Sequence, residues 1–305
     1  MLPLNQALEE MLGQLPTPSS IETFPLNQCA NRILAEDIFS PIDVPGFDNS
    51  AMDGYVLRFE DLEKFADFRV IGKSFAGNPF TGQIQAGECV RIMTGAMIPA
   101  GTDVVIMQEQ AETVADDRIR FNAQPKLGAN IRRVGEDVKQ GALVLAKGSK
   151  LNVASLPLLA SLGIAHVSVF SRLKVAILST GDELTSVGEP LEAGKIYDTN
   201  RFTVSLLLEK LNCEILDYGI LSDDPALFEK TFSEAQAASD VLITSGGVSV
   251  GEADFTKAVL EKLGKVNFWK IAMKPGKPFA FGQLGKTWFF GLPGNPVSAL
   301  VTFYQ

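Results

Sequence analysis

Leu4, Ala7, Leu8, Met11, Leu12 and Leu15 recur at helical spacing, and the period predicts a helix over residues 4–15. A second short helix is predicted over Gln28–Ala35. The stretch Ser40-Pro-Ile-Asp-Val-Pro-Gly46 then reads as an extended linker, because each proline pushes its predecessor out of the helical region. From residue 46 to 140 the pattern changes to short strand-like runs between glycine turns: Phe68-Arg-Val-Ile71, Cys89-Val-Arg-Ile92, Val104-Val-Ile-Met107 and Arg118-Ile-Arg-Phe121. No comparable helix signal interrupts them, which predicts a small β-rich, barrel-like domain. Residues 141–170 return to mixed helix and strand, with Val153–Leu162 as the helix.

From Leu173 onward, apolar runs and helical periods alternate. Strands are predicted at Val175–Ser179, Glu214–Tyr218 and Val241–Thr244, and helices at Thr199–Leu211, Pro225–Ala238 and Asp254–Leu263. This rhythm predicts βαβ units and a mostly parallel sheet. Two further strands, Pro278–Gly282 and Thr287–Gly291, lead into Leu292-Pro-Gly-Asn-Pro-Val-Ser298, where Asn295 suits a helix N-cap and Pro296 the first helical position. The fold class is therefore multidomain, α/β plus β. The expected domains are a discontinuous linking domain over 1–45 and 141–172, a β-rich domain over 46–140, and an α/β domain over 173–305. The helical Val297–Gln305 stops with no cap and no polar tail, as in a chain cut inside a longer protein.

Ligands of such sheets bind beyond the carboxyl ends of the strands. After the first strand comes Thr180-Gly-Asp-Glu-Leu184, and after the second Leu221-Ser-Asp-Asp-Pro225. After the third comes Ser245-Gly-Gly-Val-Ser-Val-Gly-Glu-Ala-Asp254. Backbone amides of a Ser245-Gly246-Gly247 turn suit an anion, yet acids follow at all three strand ends. Lys270-Ile-Ala-Met-Lys-Pro-Gly-Lys277 adds three lysines, and Pro293-Gly294-Asn295-Pro296 opens a helix. Taken singly, each is accounted for by a cap, a turn or a solvated loop. Together on one sheet edge they point to one site. Carboxylates beside phosphate oxygens repel unless a cation lies between them, and Mg²⁺ prefers one or two carboxylates plus phosphate oxygens and water. The expectation is a metal-dependent site for a phosphorylated, nucleotide-like ligand. Two segments outside this domain carry similar chemistry: Asp48-Asn-Ser-Ala-Met-Asp-Gly-Tyr55, in which Asp53-Gly54 also suits a plain turn, and Arg132-Arg-Val-Gly-Glu-Asp137.

Composition narrows the class. The 305 residues are 46% hydrophobic and 21% charged, with a net charge of −9. That balance argues against non-specific nucleic-acid or membrane-surface binding. The cysteines Cys29, Cys89 and Cys213 have no metal-ligand spacing and fit a reducing, cytoplasmic compartment. A single histidine, His166 in an apolar segment, argues against a multi-histidine metal centre or a histidine triad, and reads as structural. No run reaches the ~18 apolar residues of a membrane span.

The segments Asp48–Tyr55, Arg91-Ile-Met-Thr-Gly-Ala96, Arg132–Asp137, Ser179–Leu184, Ser245–Asp254, Met273-Lys-Pro-Gly-Lys-Pro278 and Leu292–Pro296, in this order, resemble the MoeA family, the molybdopterin molybdenumtransferases, with the gephyrin E domain as animal relative. The resemblance implies an enzyme of molybdenum cofactor biosynthesis. It would insert molybdate into adenylyl-molybdopterin with Mg²⁺ and release AMP, alongside the molybdopterin adenylyltransferase and other enzymes of the cofactor. It also implies a homodimer whose site joins the α/β domain of one subunit to the β-rich domain of the other. Its functional residues fall on Asp53, Thr94, Asp137, Glu183, Asp223, Asp254, Lys270, Lys274, Pro293 and Pro296. In chemical terms, Asp223 and Asp254 would position Mg²⁺ or the nucleotide, and Glu183 the metal-bound water or the pterin. Lys270 and Lys274 would hold molybdate or phosphate, with Lys277, and Asp53, Thr94 and Asp137 would close the site. Gly181, Ser245, Gly246, Gly247, Gly294 and Asn295 would form its backbone cradle. The family carries a further C-terminal β domain, absent from this chain. Two other readings stay open: a gephyrin-like scaffold for partner proteins, and a molybdopterin adenylyltransferase. The acids and lysines favour catalysis over the first, and residues 1–170 argue against the second.

Overall fold

The structure, a computed structural model, describes residues 1–246 and 254–305, apart from the side chains of 254–257 and 268. The chain forms two compact units. One comprises residues 1–24, 29–33 and 168–305, and the other residues 25–28 and 34–167. The labelled elements are the helices and the strands of the two six-stranded sheets.

The β-rich unit is built on strands β1 (Gly54–Leu57), β2 (Phe68–Ser74), β3 (Glu88–Ile92), β4 (Val104–Met107), β5 (Ala111–Ala115) and β6 (Arg118–Phe121). Their order is β4-β1-β3-β2-β6-β5. All pairs are antiparallel except β2 with β3. Alternate residues feed two cores. Leu57, Phe68, Cys89, Val104, Ile106 and Ile119 lie on one face, and Val56, Val90, Ile92 and Val105 on the other. The central strand β1 lies within and beyond a segment read from sequence as a polar loop. Gly54 belongs to the ladder because it has no side chain: a Cβ there would collide with the Ile106 carbonyl. The helix predicted over Val153–Leu162 is present as α2 (Ser155–Ser161). The helix predicted over Gln28–Ala35 is not. One 3₁₀ turn, Leu26–Gln28, is followed by Asn31 in the left-handed region at φ 64°, and the Leu34 amide bonds to the remote Ser149 carbonyl. A left-handed residue cannot continue a right-handed helix.

The α/β unit begins with α1 (Leu4–Leu12). Its sheet comprises β7 (Lys174–Thr180), β8 (Glu214–Leu221), β9 (Val241–Ser245), β10 (Gly264–Lys270), β11 (Pro278–Leu284) and β12 (Thr287–Leu292). The order is β8-β7-β9-β12-β11-β10. The first four strands run parallel, and β11 is antiparallel to both its neighbours. Hence β10 points the same way as the parallel four, and Lys270 reaches the same sheet edge as Thr180, Leu221, Ser245 and Leu292. Helices α3 (Thr199–Lys210), α4 (Pro225–Ala238), α5 (Asp254–Leu263) and α6 (Pro296–Tyr304) complete the unit.

Both sheet faces are covered, so the parallel strands read as unbroken apolar runs rather than alternating ones. On one face Ala176, Leu178, Leu242 and Phe289 pack against Phe228, Phe232, Val259 and Leu260. The rings of Phe228 and Phe232 stack with centroids 4.2 Å apart. On the other face Val175, Ile177, Ile243 and Phe281 pack against Ala7, Val204, Leu208 and Ala299. The three cysteines are free thiols, and burial pushes Cys89 up to about 12, so its thiolate is not available near neutral pH. Among the described residues no helix is long and apolar enough to cross a membrane.

Candidate functional site

A cleft opens at the carboxyl edge of the α/β sheet, where the chain leaves β7, β9 and β12. It is lined by Thr180, Glu183, Leu184, Ile196–Asn200, Ser245, Gly246, Gly294 and Pro296, and holds about 390 Å³ of empty space, counting the part open to solvent. Its walls are backbone-rich because three glycines meet there. Gly246 stands at φ 87°, and a Cβ on it would lie 2.7 Å from the Thr180 carbonyl oxygen. Its amide donates to the Leu292 carbonyl at 3.2 Å. Gly181 stands at φ 142°, where a Cβ would lie 2.5 Å from the Glu183 carboxylate. A Cβ on Gly294 would lie 3.9 Å from the Gly246 Cα. Glycine alone takes such backbone without strain and leaves room for a ligand.

Glu183 is held by its backbone, its carbonyl accepting from the Ile196 amide at 2.8 Å beside the short ladder of Leu184–Thr185 with Ile196–Tyr197. Its side chain is exposed toward the cleft. Asp198 caps α3, accepting from the Arg201 amide at 3.1 Å, from Ser179 Oγ at 3.1 Å and from Arg201 Nε at 2.9 Å. Burial alone would lower the Arg201 pKa, but hydrogen bonds from its guanidinium to Asp217 and Asp198 outweigh that and raise it. This capped first turn aims Asn200 into the cleft. Asn200 Nδ2 donates to Ser245 Oγ and to the Gly294 carbonyl, each at 2.7 Å, and so ties α3 to the ends of β9 and β12.

Asn200 and Asp198 were missed by sequence reasoning. Asp198 carried a signal, an N-cap residue immediately before a predicted helix. Asn200 carried none, because its partners lie 45 and 94 residues away. Replacing Asn200 by Asp removes both donors while keeping the shape, and leaves the Gly294 carbonyl facing a carboxylate. The expected cost is about 1–3 kcal/mol, read as a lower melting temperature, whereas Asn200→Gln retains the donor chemistry and loses less. Equal melting of wild type and Asn200→Asp would refute the clamp.

Of the sequence-predicted residues, Glu183, Ser245, Gly246, Gly294 and Pro296 line this cleft, and Gly181 shapes it from behind. Asp223 stands beside it, its amide donating to Asp182 Oδ1 at 3.2 Å. Burial, then the nearby Asp182 and Glu183 carboxylates, raise the Asp223 pKa. The adjacent Asp224 is a helix cap, accepting from the Ala226 and Leu227 amides. At the start of α6, Asn295 accepts from the Val297 and Ser298 amides and its carbonyl from Ala299, so that helix offers a ligand its dipole more than free amides. Pro293 is buried and does not line the cleft. Lys270, Lys274 and Lys277 are exposed on the same sheet edge but outside the cleft lining. Their loop is fixed by the Ile271 amide on the Lys277 carbonyl at 2.8 Å, and by Gly276, whose missing Cβ lets the loop sit against Thr302 of α6. Gly247, Glu252 and the side chain of Asp254 lie outside the described residues. Among the described residues no three carboxylate, histidine or cysteine side chains form a ready-made metal cluster.

In the β-rich unit Asp53 and Thr94 form a local pair. Asp53 Oδ1 accepts from the Thr94 amide at 2.8 Å and from its hydroxyl at 2.7 Å, and these bonds hold the Asp53 pKa below its ordinary value. The pairing follows from the ladder, which sets Gly54 opposite Ile92. Asp137 is exposed, its amide bonded to the Val44 carbonyl at 2.9 Å.

Both halves of the chain match known protein families. Residues 2–163 match the MoeA N-terminal region (domain I and II), and residues 176–305 match a probable molybdopterin binding domain. A molybdopterin molybdenumtransferase of Haemophilus influenzae is 65% identical over the whole chain, which spans 76% of that protein. One from a Nostoc species is 36% identical over 97% of this chain and 70% of its own length. The crystal structure of a molybdopterin biosynthesis MoeA protein from Pyrococcus horikosii superposes with a TM-score of 0.85 at 36% identity, covering all of this chain and 77% of that one. With both halves matched in order, and the cleft lying in the half that matches the molybdopterin binding domain, the chain belongs to the MoeA family of molybdopterin molybdenumtransferases.

Proposed function

We propose that the cleft at the carboxyl edge of the α/β sheet binds adenylyl-molybdopterin, and that molybdate is transferred there to the dithiolene sulfurs with release of AMP. The observation that carries this reading is the convergence of Glu183, Asn200, Ser245, Gly246 and Gly294 on one cleft in a chain of this family. The glycine backbone and Ser245 supply a close, polar surface for the ligand. Glu183 orients water or the pterin. Lys270, Lys274 and Lys277 hold the oxyanion of molybdate or phosphate as point charges. Asp53, Thr94 and Asp137 of the partner subunit close the site in a homodimer. The reaction runs in the cytoplasm, with the molybdopterin adenylyltransferase supplying the substrate.

A divalent cation fits the donor set. Burial, and after it the Asp182 and Glu183 carboxylates, raise the Asp223 pKa, and a cation relieves the electrostatic part. Mg²⁺ needs only one or two carboxylates besides phosphate oxygens and water. Asp223, Glu183 and Asp254 would hold it, and it would neutralise the phosphate oxygens next to these acids.

A carboxyl whose folded-state pKa is raised contributes stability that is fully present below the ordinary carboxylate range. That stability is lost as pH rises through the raised value. At neutral pH ionised Asp223 therefore opposes folding. Asp223→Asn is expected to raise the melting temperature without Mg²⁺, while Mg²⁺ raises that of the wild type more than that of the variant. EDTA is expected to weaken binding of adenylyl-molybdopterin to the wild type. Ligand affinity indifferent to EDTA, with equal Mg²⁺ responses in both proteins, would rule out the metal assignment.

A further inference from the structure

The chain carries a net charge of −9, yet one region of the β-rich sheet gathers cations. Lys73 stands directly opposite Arg91 across the parallel β2–β3 pair. Arg118 stands directly opposite Arg69 across β2–β6. Like charges in directly opposed positions destabilise a sheet. Arg69 is relieved by Glu88, and the neighbouring Arg120 by Asp67. Lys73, Arg91 and Arg118 have no ion-pair partner among the described residues. Arg91 hydrogen-bonds to neutral groups, donating to the Gly54 carbonyl at 2.9 Å and to the Gln108 side chain, its guanidinium lies 5.0 Å over the Tyr55 ring, and its charge also acts weakly on Asp53.

These three cations line one open cavity with about 570 Å³ of empty space, counting the part open to solvent, whose other walls are Tyr55, Val70, Thr113, Ala115 and Ile119. Asp116 is the single carboxylate on its lining, in the turn between β5 and β6. Three cations against one carboxylate leave a local charge of +2 in a strongly acidic protein. The Tyr55 ring is covered by Arg91 on its face and meets Phe121 edge-on at 5.9 Å. It therefore helps to fix the guanidinium in place. Val70 and Ile119 supply an apolar floor.

We propose that this cavity is an anion site for a small phosphomonoester. The +2 charge matches a phosphate dianion, Arg91 is pre-oriented by Tyr55 to bind its oxygens, and the apolar floor takes a compact organic group. A nucleic-acid strand is disfavoured by the acidity of the rest of the chain. The site lies wholly within the β-rich unit, and the proposal does not depend on the reading given for the cleft.

The test is calorimetric titration of the whole chain with phenyl phosphate, with inorganic phosphate and phenol as comparators. Saturable binding of phenyl phosphate is expected, stronger than that of inorganic phosphate, with none for phenol. Lys73→Glu and Arg118→Glu are each expected to weaken it at least about tenfold, since each removes a charge-assisted contact. The milder Lys73→Gln and Arg118→Gln weaken it less and guard against misfolding of the reversed-charge variants. Lys286→Ala, an exposed lysine on the other unit, leaves the binding unchanged. No saturable binding by wild type, binding insensitive to Lys73 and Arg118, or binding lost in Lys286→Ala would each overturn the proposal.

Discussion

Glu183→Ala is expected to melt within about 2 °C of wild type and to lose turnover by about 10²-fold or more. The stability side follows from its contacts. The Glu183 side chain is exposed, and the hydrogen bond that anchors the residue comes from its backbone carbonyl to the Ile196 amide. Removing it deletes no packing, and surface changes of this kind stay within about 0.5 kcal/mol. The carboxylate also repels Asp223, so its loss slightly favours folding. The activity side follows from position. Glu183 lines the cleft with an exposed carboxylate; in the proposed function it orients water or the pterin, and a positioned acid or base contributes about 10²–10⁴-fold. Glu183→Gln separates the causes, because it keeps hydrogen-bonding reach and loses charge. A Gln variant as slow as the Ala variant makes charge the essential property. Wild-type turnover in Glu183→Ala would remove this residue from the mechanism.

Asp198→Ala is expected to be the most destabilising single change at the cleft, by about 2–4 kcal/mol. Its side chain is 1% exposed and satisfies three donors at once: the Arg201 amide, the Arg201 guanidinium and Ser179 Oγ. Loss of an N-cap alone costs about 0.5–2 kcal/mol. Breaking a buried ion pair costs about 3–5 kcal/mol when the partner is stranded. Arg201 is not fully stranded, because Asp217 still accepts from it at 2.5 Å, which sets the expectation below the sum. At roughly 2–4 °C per kcal/mol for a unit of this size, the melting transition of the α/β unit falls by about 5–15 °C. Asn200 is two residues further along the same turn, so turnover falls too. Asp198→Asn keeps one acceptor for the cap and is expected to recover part of the loss. A melting temperature unchanged in Asp198→Ala would mean that the cap and ion pair contribute nothing net.

The α/β half of the fold was legible because its signals are local. Val241–Ser245 is an apolar run buried on both faces, and α4 is announced by Asp224 as cap and Pro225 at the first helical position. The same locality misled elsewhere. Asp53-Gly54 reads as a turn, whereas Gly54 sits in a central strand because the Ile106 carbonyl leaves no room for a side chain. Gln28–Ala35 reads as helical, but Asn31 and the tie from Leu34 to Ser149 take the chain elsewhere. For the site, the acids and glycines at strand ends could be collected from sequence, since topology puts strand ends on one edge. Which of them meet could not. Asn200 is tied to Ser245 and Gly294 by tertiary contact alone, and the three lysines share the edge without lining the cleft.

The central claim is that this cleft releases AMP from adenylyl-molybdopterin as molybdate is inserted. The measurement that addresses it most directly is AMP release by the 305-residue chain with Mg²⁺, with and without molybdate, in wild type and Glu183→Ala. Release that requires molybdate and collapses in the variant is the predicted result. Release equally fast without molybdate, or undiminished in Glu183→Ala, would contradict it.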